Sequence, residues 1–275
     1  MSNLAARLLT AVVAIPILLG AIFWDNPLAV YAIVFLATGL GLREWMNMTM
    51  QGSSAAERGL GVVLGLGLSA QLYFRTADGL GLGMGLGFGV IAVFVFLLFR
   101  YGTVETVAAR LGAIVSGALY VAVLLVFVAL LKKRGADGGA WVLLTLTVVW
   151  FSDTGAYFAG RFLGPTFPNK LYEAMSPKKT VVGAIGGLCA SVLAAVLAKL
   201  WYLPGLTWLD CALVAVPANL LGQVGDLAES MLKRSVGVKD SGALLPGHGG
   251  MLDRIDALLF AAPYIYAYTA YAYAR

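Results

Sequence analysis

The densest run of ionisable residues is Gln223-Val-Gly-Asp-Leu-Ala-Glu-Ser-Met-Leu-Lys-Arg234. On a helix Asp226, Ser230 and Lys233 fall at i, i+4 and i+7 on one stripe, flanked by Glu229 and Arg234. Lys239-Asp240 follow, then Pro246-Gly-His-Gly-Gly-Met-Leu-Asp-Arg-Ile-Asp256, where Asp253 and Asp256 are spaced i, i+3. Pro246, Gly247, Gly249 and Gly250 let backbone approach a phosphate without side-chain obstruction. Carboxylates from two helix ends, with lysines and arginines between them, suit a hard divalent cation and phosphate. Mg²⁺ takes one or two carboxylates plus substrate oxygens. Zinc is disfavoured, since neither cysteine falls here and His248 is the single histidine. A lone histidine reads first as a hydrogen-bonded structural residue, and no Gly-x-Ser-x-Gly elbow accompanies it to suggest a hydrolase.

Two further segments carry polar chemistry. In Phe151-Ser-Asp-Thr-Gly-Ala-Tyr-Phe-Ala-Gly-Arg161 the residues Asp153, Tyr157, Gly160 and Arg161 recur at helical spacing. Asp153 comes directly after a long apolar run, where an ionisable group is costly and usually functional. It is too far along the helix from Arg161 to pair with it, so each needs another partner. Ser176-Pro-Lys-Lys-Thr180 leads into a glycine-rich span. Ser176 is expected as an N-cap and Pro177 in a first helical turn. Lys178 and Lys179 beside exposed helix N–H groups would then form an anion site.

The elements that position these residues follow from composition. The chain has 275 residues, of which 60% are hydrophobic and 12% charged, with a mean hydropathy of +0.87. Soluble domains carry about 25% charged residues, so a soluble enzyme, a disordered chain and a disulfide scaffold are excluded. The expected fold is all-α and polytopic, with about nine membrane helices and a polar cavity opening to the cytoplasm. Spans are predicted near 8–23, 27–42, 59–74, 79–99, 111–131, 140–160, 180–203, 206–225 and 256–273. The first reads as an uncleaved helix rather than a signal peptide, because no small-residue cleavage site separates it from the second. A single domain is expected over 1–275, with scaffold helices in 1–139 and the site in 140–275.

Placing the N-terminus in the cytoplasm puts 13 of the 19 lysines and arginines inside and six outside, the Lys132-Lys133-Arg134 run being the exception. The net charge of +5 is read as this bias together with anionic ligands, not as a nucleic-acid surface. Cys189 and Cys211 lie in apolar runs and read as packing residues. The alternating glycines of 79–89 allow close helix approach and carry no chemistry.

The run from Ser230 to Asp256 closely resembles the signature of the phosphatidate cytidylyltransferase (CDP-diacylglycerol synthase) family over 27 positions. Ser152-Asp-Thr-Gly-Ala-Tyr157 with Gly160-Arg161, and Ser176-Pro-Lys-Lys-Thr180, resemble the family's other two motifs. One departure is Val182, where the family pattern has an acidic residue before the glycine. The resemblance implies transfer of CMP from CTP to phosphatidic acid, giving CDP-diacylglycerol and diphosphate in phospholipid synthesis. It also implies Mg²⁺ held by Asp226 and Asp253, a monovalent cation such as K⁺ nearby, and a homodimer in the cell (inner) membrane.

That chemistry needs no general base, because the attacking lipid phosphate is already anionic. The barrier lies in bringing polyanions together and stabilising the departing diphosphate. Asp226, Asp253, Asp256, Lys233 and Arg254 are the expected catalytic set. Lys178, Lys179, Arg234 and Lys239 are expected to hold phosphates, and Ser176, Gly249 and Gly250 to supply neutral contacts. Asp153, Arg161, Thr180, Glu229, Ser230, Asp240 and His248 complete the expected substrate-binding set. CTP arrives from the cytoplasm and phosphatidic acid stays in the bilayer, so the site must open to both. The rival readings are a CTP-dependent polyprenol or phytol kinase, which would release CDP, and a transporter of phosphorylated solutes. The second is disfavoured because the polar motifs crowd into one half instead of repeating.

Overall fold

The computed structural model describes residues 3–75, 79–100, 102–242 and 249–273, with only the backbone for 3–11. Pro246, Gly247 and His248 of the glycine segment therefore lie outside the described residues. The chain runs as α1 (Asn3–Phe23), α2 (Leu28–Thr49), α3 (Ala55–Phe74) and α4 (Gly79–Phe99). A 3₁₀ turn then leads into α5 (Val107–Gly117), a π-helical segment (Ala118–Val123) and α6 (Leu124–Lys132). After α7 (Gly138–Phe162) come strands β1 (Lys170–Tyr172) and β2 (Ser176–Thr180), then α8 (Val181–Trp201), α9 (Trp208–Ser235) and α10 (Leu252–Ala267), which continues into a π turn. Among the described residues, six helices are long and apolar enough to cross a membrane: α2, α4, the continuous helix Val104–Lys132, α7, α8 and α9. The protein is an all-α polytopic membrane protein with one short hairpin.

Local sequence sets several of these boundaries. Ser54 accepts from the Glu57 amide at 3.2 Å and starts α3. Thr207 and Asp210 form a reciprocal capping box at 3.1 and 2.7 Å that starts α9. α9 has 28 residues, about 42 Å at 1.5 Å per residue, against a hydrocarbon core of roughly 30 Å. Its polar last turns thus remain helical well past the apolar run that ends near Gly225. α2 likewise continues through Arg43 and Glu44 to Thr49, and Arg110 lies within α5. The predicted spans 27–42 and 111–131 leave Arg43 and Arg110 just outside them, and the structure corrects both limits. Arg110 is held by Glu57 of α3 at 2.7 Å, both side chains buried, so the charge does not break the helix.

Ser176–Thr180 is the second correction. It forms the strand β2, paired antiparallel with β1 (Lys170 opposite Thr180, Tyr172 opposite Ser176), not a helix N-terminus. A residue before proline is pushed toward extended backbone, which favours strand at Ser176. The cap of α8 is Thr180, accepting from the Gly183 amide at 3.1 Å.

α7 packs on α8 more extensively than any other helix pair, through a seam of small residues. A Cβ on Gly155 would stand 2.6 Å from the Gly186 carbonyl, and one on Gly187 would stand 2.9 Å from the Ser152 carbonyl. Such seams let membrane helices meet backbone to backbone. α9 and α10 approach the same way, a Cβ on Gly225 falling 2.6 Å from the Asp256 carbonyl.

The Lys132-Lys133-Arg134 run gathers three other helix ends. Lys132 Nζ donates to the Ile22 carbonyl of α1 at 2.7 Å, Lys133 Nζ to the Tyr73 carbonyl of α3 at 2.7 Å, and Arg134 Nη2 to the Thr269 carbonyl beyond α10 at 2.8 Å. Helix C-termini leave carbonyls unsatisfied and carry partial negative charge. The three cations answer both, at the end of the bundle opposite the acidic motifs.

Candidate active site

α7, β2, the start of α8 and the middle of α9 enclose a cavity of about 410 Å³. Its polar lining includes Ser152, Asp153, Tyr157 and Arg161 from α7, Lys178, Lys179 and Thr180 from β2, and Asn219, Gln223 and Asp226 from α9. Three segments far apart in sequence therefore face one chamber. The helical periodicity read for Asp153, Tyr157, Gly160 and Arg161 holds, since all four line it.

Within the chamber Lys179 is ion-paired with Asp226, each about one third exposed. Arg161 Nη1 donates to the Tyr157 hydroxyl at 2.8 Å, which gives the guanidinium the separate partner its spacing from Asp153 requires. Asp153 in turn lies within electrostatic reach of Asp226, Lys179 and Arg254. The inner wall is a hydrogen-bonded network. Asn219 Nδ2 donates to Ser152 Oγ at 2.7 Å and Ser191 Oγ at 2.9 Å, and Gln223 Nε2 donates to Asn219 Oδ1 at 2.7 Å. The sequence reading assigned neither Asn219 nor Gln223. Their signal was available: two amides at i, i+4 in an apolar helix, one turn before Asp226.

Beside the chamber stands a second charged cluster. Lys233 Nζ donates to Glu229 Oε2 and to Asp253 Oδ1, both at 2.7 Å, and all three side chains are nearly buried. Asp253 also accepts from the Gly250 amide at 2.9 Å and from the Ser241 amide at 3.2 and 3.3 Å. Gly249, at φ +80°, adopts the left-handed conformation that brings its backbone over Asp253, a Cβ there falling 3.0 Å from Oδ2. Asp256 lies within electrostatic reach of Asp226, Glu229 and Asp153, so it joins the two clusters. Glu229 Oε1 is buried with no hydrogen-bond partner among the described residues.

The other expected residues are placed as follows. Ser176 is half-buried in β2 and Ser230 half-buried on α9, while Arg234, Lys239, Asp240 and Arg254 are exposed. Asp226 and Asp253 are each held by a different lysine, Lys179 and Lys233.

The donors suit a hard cation: all are carboxylate oxygens, and one buried oxygen, on Glu229, lacks a donor. Among the described residues no three His, Cys, Asp or Glu side chains converge to hold a metal by themselves.

A sequence profile described as the cytidylyltransferase family matches residues 5–272. A phosphatidate cytidylyltransferase of Staphylococcus haemolyticus is 44% identical over 128 residues, 46% of this chain and 48% of the relative. Proteins of the same name from Bacillus subtilis and Synechocystis are 39% identical over 158 residues and 45% identical over 125, covering 57% and 41% of their lengths. The chain thus spans about half the length of the curated relatives it matches.

Proposed function

The chain belongs to the cytidylyltransferase family, and from that premise we propose that it transfers CMP from CTP to phosphatidic acid, yielding CDP-diacylglycerol and diphosphate. One observation carries the reading. Asp153 and Arg161, Lys178 and Lys179, and Asp226 line a single chamber, in which Lys179 of β2 is ion-paired with Asp226 of α9.

In this reaction a phosphate oxygen of the lipid attacks the α-phosphorus of CTP. The bond from that phosphorus to the bridging oxygen of the β-phosphate breaks, and diphosphate leaves with the electron pair. Lys178, Lys179 and Arg161 bind and neutralise the phosphates, orienting them before the attack. Asn219, Gln223 and Ser152 fix the inner wall so that the cationic groups keep their positions. Asp226 and Asp253 would hold Mg²⁺, which would supply neutralisation of the phosphate charge. The orphaned Glu229 oxygen and the proximity of Asp256 support a cation there. Lys179 and Lys233 now neutralise these carboxylates, and a bound cation would take over that charge.

In this reading nine helices cross the membrane, α1, α3 and the α10 rod joining the six named above. The chamber faces the cytoplasm of the cell membrane. The excess of lysines and arginines at its end of the bundle supports that side, as does the source of CTP.

The test is incubation of purified protein with CTP, phosphatidic acid and Mg²⁺. CDP-diacylglycerol and diphosphate in equal amounts are expected. CDP with a phosphorylated lipid alcohol, or no nucleotide turnover, overturns the reading.

A further inference from the structure

Glu44 stands in α2, in the half of the chain to which no site residue was assigned, yet its carboxylate reaches the polar segment that carries Asp253. Oε1 accepts from the Met251 amide at 2.9 Å. Oε2 accepts from the Leu252 amide at 2.8 Å and from the Ser241 hydroxyl at 3.1 Å. The side chain is 7% exposed. α10 has no side-chain cap of its own, Met251 standing at its N-cap position, so Glu44 satisfies orphan amides of the first turn from another helix.

The seat is shaped for this carboxylate. A Cβ on Gly242 would fall 2.7 Å from Glu44 Oε1 and one on Gly250 would fall 2.6 Å from Oε2. Glu44 pins the Ser241 hydroxyl and the Met251 and Leu252 amides, while the adjoining amides of Ser241 and Gly250 hold Asp253 from the other side. One continuous bonded path runs from Glu44 through this backbone to Asp253, Lys233 and Glu229.

We infer that Glu44 is a positioning residue: it clamps Ser241 and the backbone at 251–252 and so fixes Asp253 and Lys233 for CMP transfer. The inference rests on the proposed function for its catalytic consequence, but not for the clamp. α2 thereby becomes part of the site, because Glu44 ties the start of α10 to the N-terminal half by hydrogen bonds.

The test is Glu44→Gln in the full-length protein, read by amide hydrogen exchange over 249–256 and by steady-state kinetics. Glutamine keeps the volume but loses the charge and replaces one acceptor oxygen with a donor. The clamp predicts at least tenfold faster exchange over 249–256 with exchange elsewhere unchanged. It also predicts at least tenfold lower kcat, a raised half-saturating Mg²⁺ concentration and a KM for phosphatidic acid within about twofold. Glu57→Gln, which cuts a buried ion pair elsewhere, is the structural control and should leave exchange over 249–256 unchanged. Ser241→Ala, which removes one bond of the clamp, is the second variant should Glu44→Gln fail to fold. It should give the same changes, smaller. Unchanged exchange over 249–256, or faster exchange with unchanged kcat and Mg²⁺ dependence, overturns the inference. A wild-type protein that turns over no CTP sinks the proposed function instead, and the exchange measurement still decides the clamp.

Discussion

Lys179 of β2 forms an ion pair with Asp226 of α9 across the chamber, joining two motifs that the sequence keeps apart. Each side chain is about one third exposed, so the pair contributes under about 1 kcal/mol to stability. Its value is placement: in the proposed reaction a lysine that would bind phosphate and a carboxylate that would bind the metal stand within reach of one ligand.

Asp226→Asn should therefore cost activity without costing the fold. We expect CMP transfer to fall by about 100- to 1000-fold, the scale of losing one group that stabilises transition-state charge, with the detergent unfolding midpoint nearly unchanged. Near-normal Mg²⁺-dependent turnover would remove Asp226 from the mechanism.

Lys233, by contrast, should cost the fold as well as activity when replaced. It is the only cation bonded to both Glu229 and Asp253 among the described residues, and those side chains are 1% and 10% exposed. Lys233→Met leaves two carboxylates uncompensated in a buried site, a loss on the order of 3–5 kcal/mol. The expected midpoint drop is on the order of 10 °C, and Glu229→Gln in the same chain should recover part of it by removing one stranded charge. Thermal unfolding of the single and double variants checks this. A Lys233→Met protein as stable as wild type would contradict the buried triad.

These contrasts show what the sequence carried and what it did not. The face of α7 bearing Asp153, Tyr157 and Arg161, and the pairing of Lys233 with Glu229, follow from helical spacing and were legible. So was the start of α9, since Thr207 and Asp210 bond within one turn. Lys233 with Asp253 and Glu44 with the α10 amides were not, because a contact between distant segments leaves no local pattern. Ser176-Pro177 was misread because the same two residues suit a helix start or a strand. The choice fell to pairing with Lys170–Tyr172, which only the folded chain provides. Charge misled at Arg43 and Arg110: the predicted spans stop short of both, yet each lies in a helix that continues through it.

The basic run on α6 makes a third prediction. By charge alone Lys132-Lys133-Arg134 sits on the wrong side, and the structure gives it another role at the ends of α1, α3 and the last helix. Replacing each by alanine removes one bond and one favourable charge, about 1 kcal/mol apiece. The triple variant should lose about 3 kcal/mol, since the three carbonyls are on separate helices. CMP transfer should persist, the site being at the other end of the bundle. A triple variant of undiminished stability would leave the run without a structural reason.

The α7–α8 seam sets the width of the chamber, because α7 carries Asp153 and Arg161 while the chain entering α8 carries Lys178 and Lys179. A Cβ on Gly186 would collide with Ala159 and approach the Gly155 carbonyl at 2.9 Å. Gly186→Leu must therefore drive the helices apart, an overpacking cost of about 1–3 kcal/mol. The larger effect is on chemistry: a displacement of about 1 Å between reacting groups can cost 100-fold in rate. Turnover should fall by about 10- to 100-fold, with the loss in kcat as well as in KM for CTP. Gly67→Ala is the matched control, since a Cβ there meets nothing within 4 Å, and helix propensity alone would favour it by up to about 1 kcal/mol. Equal activity in the two variants would show that close approach along this seam does not govern the spacing of the cationic and acidic walls.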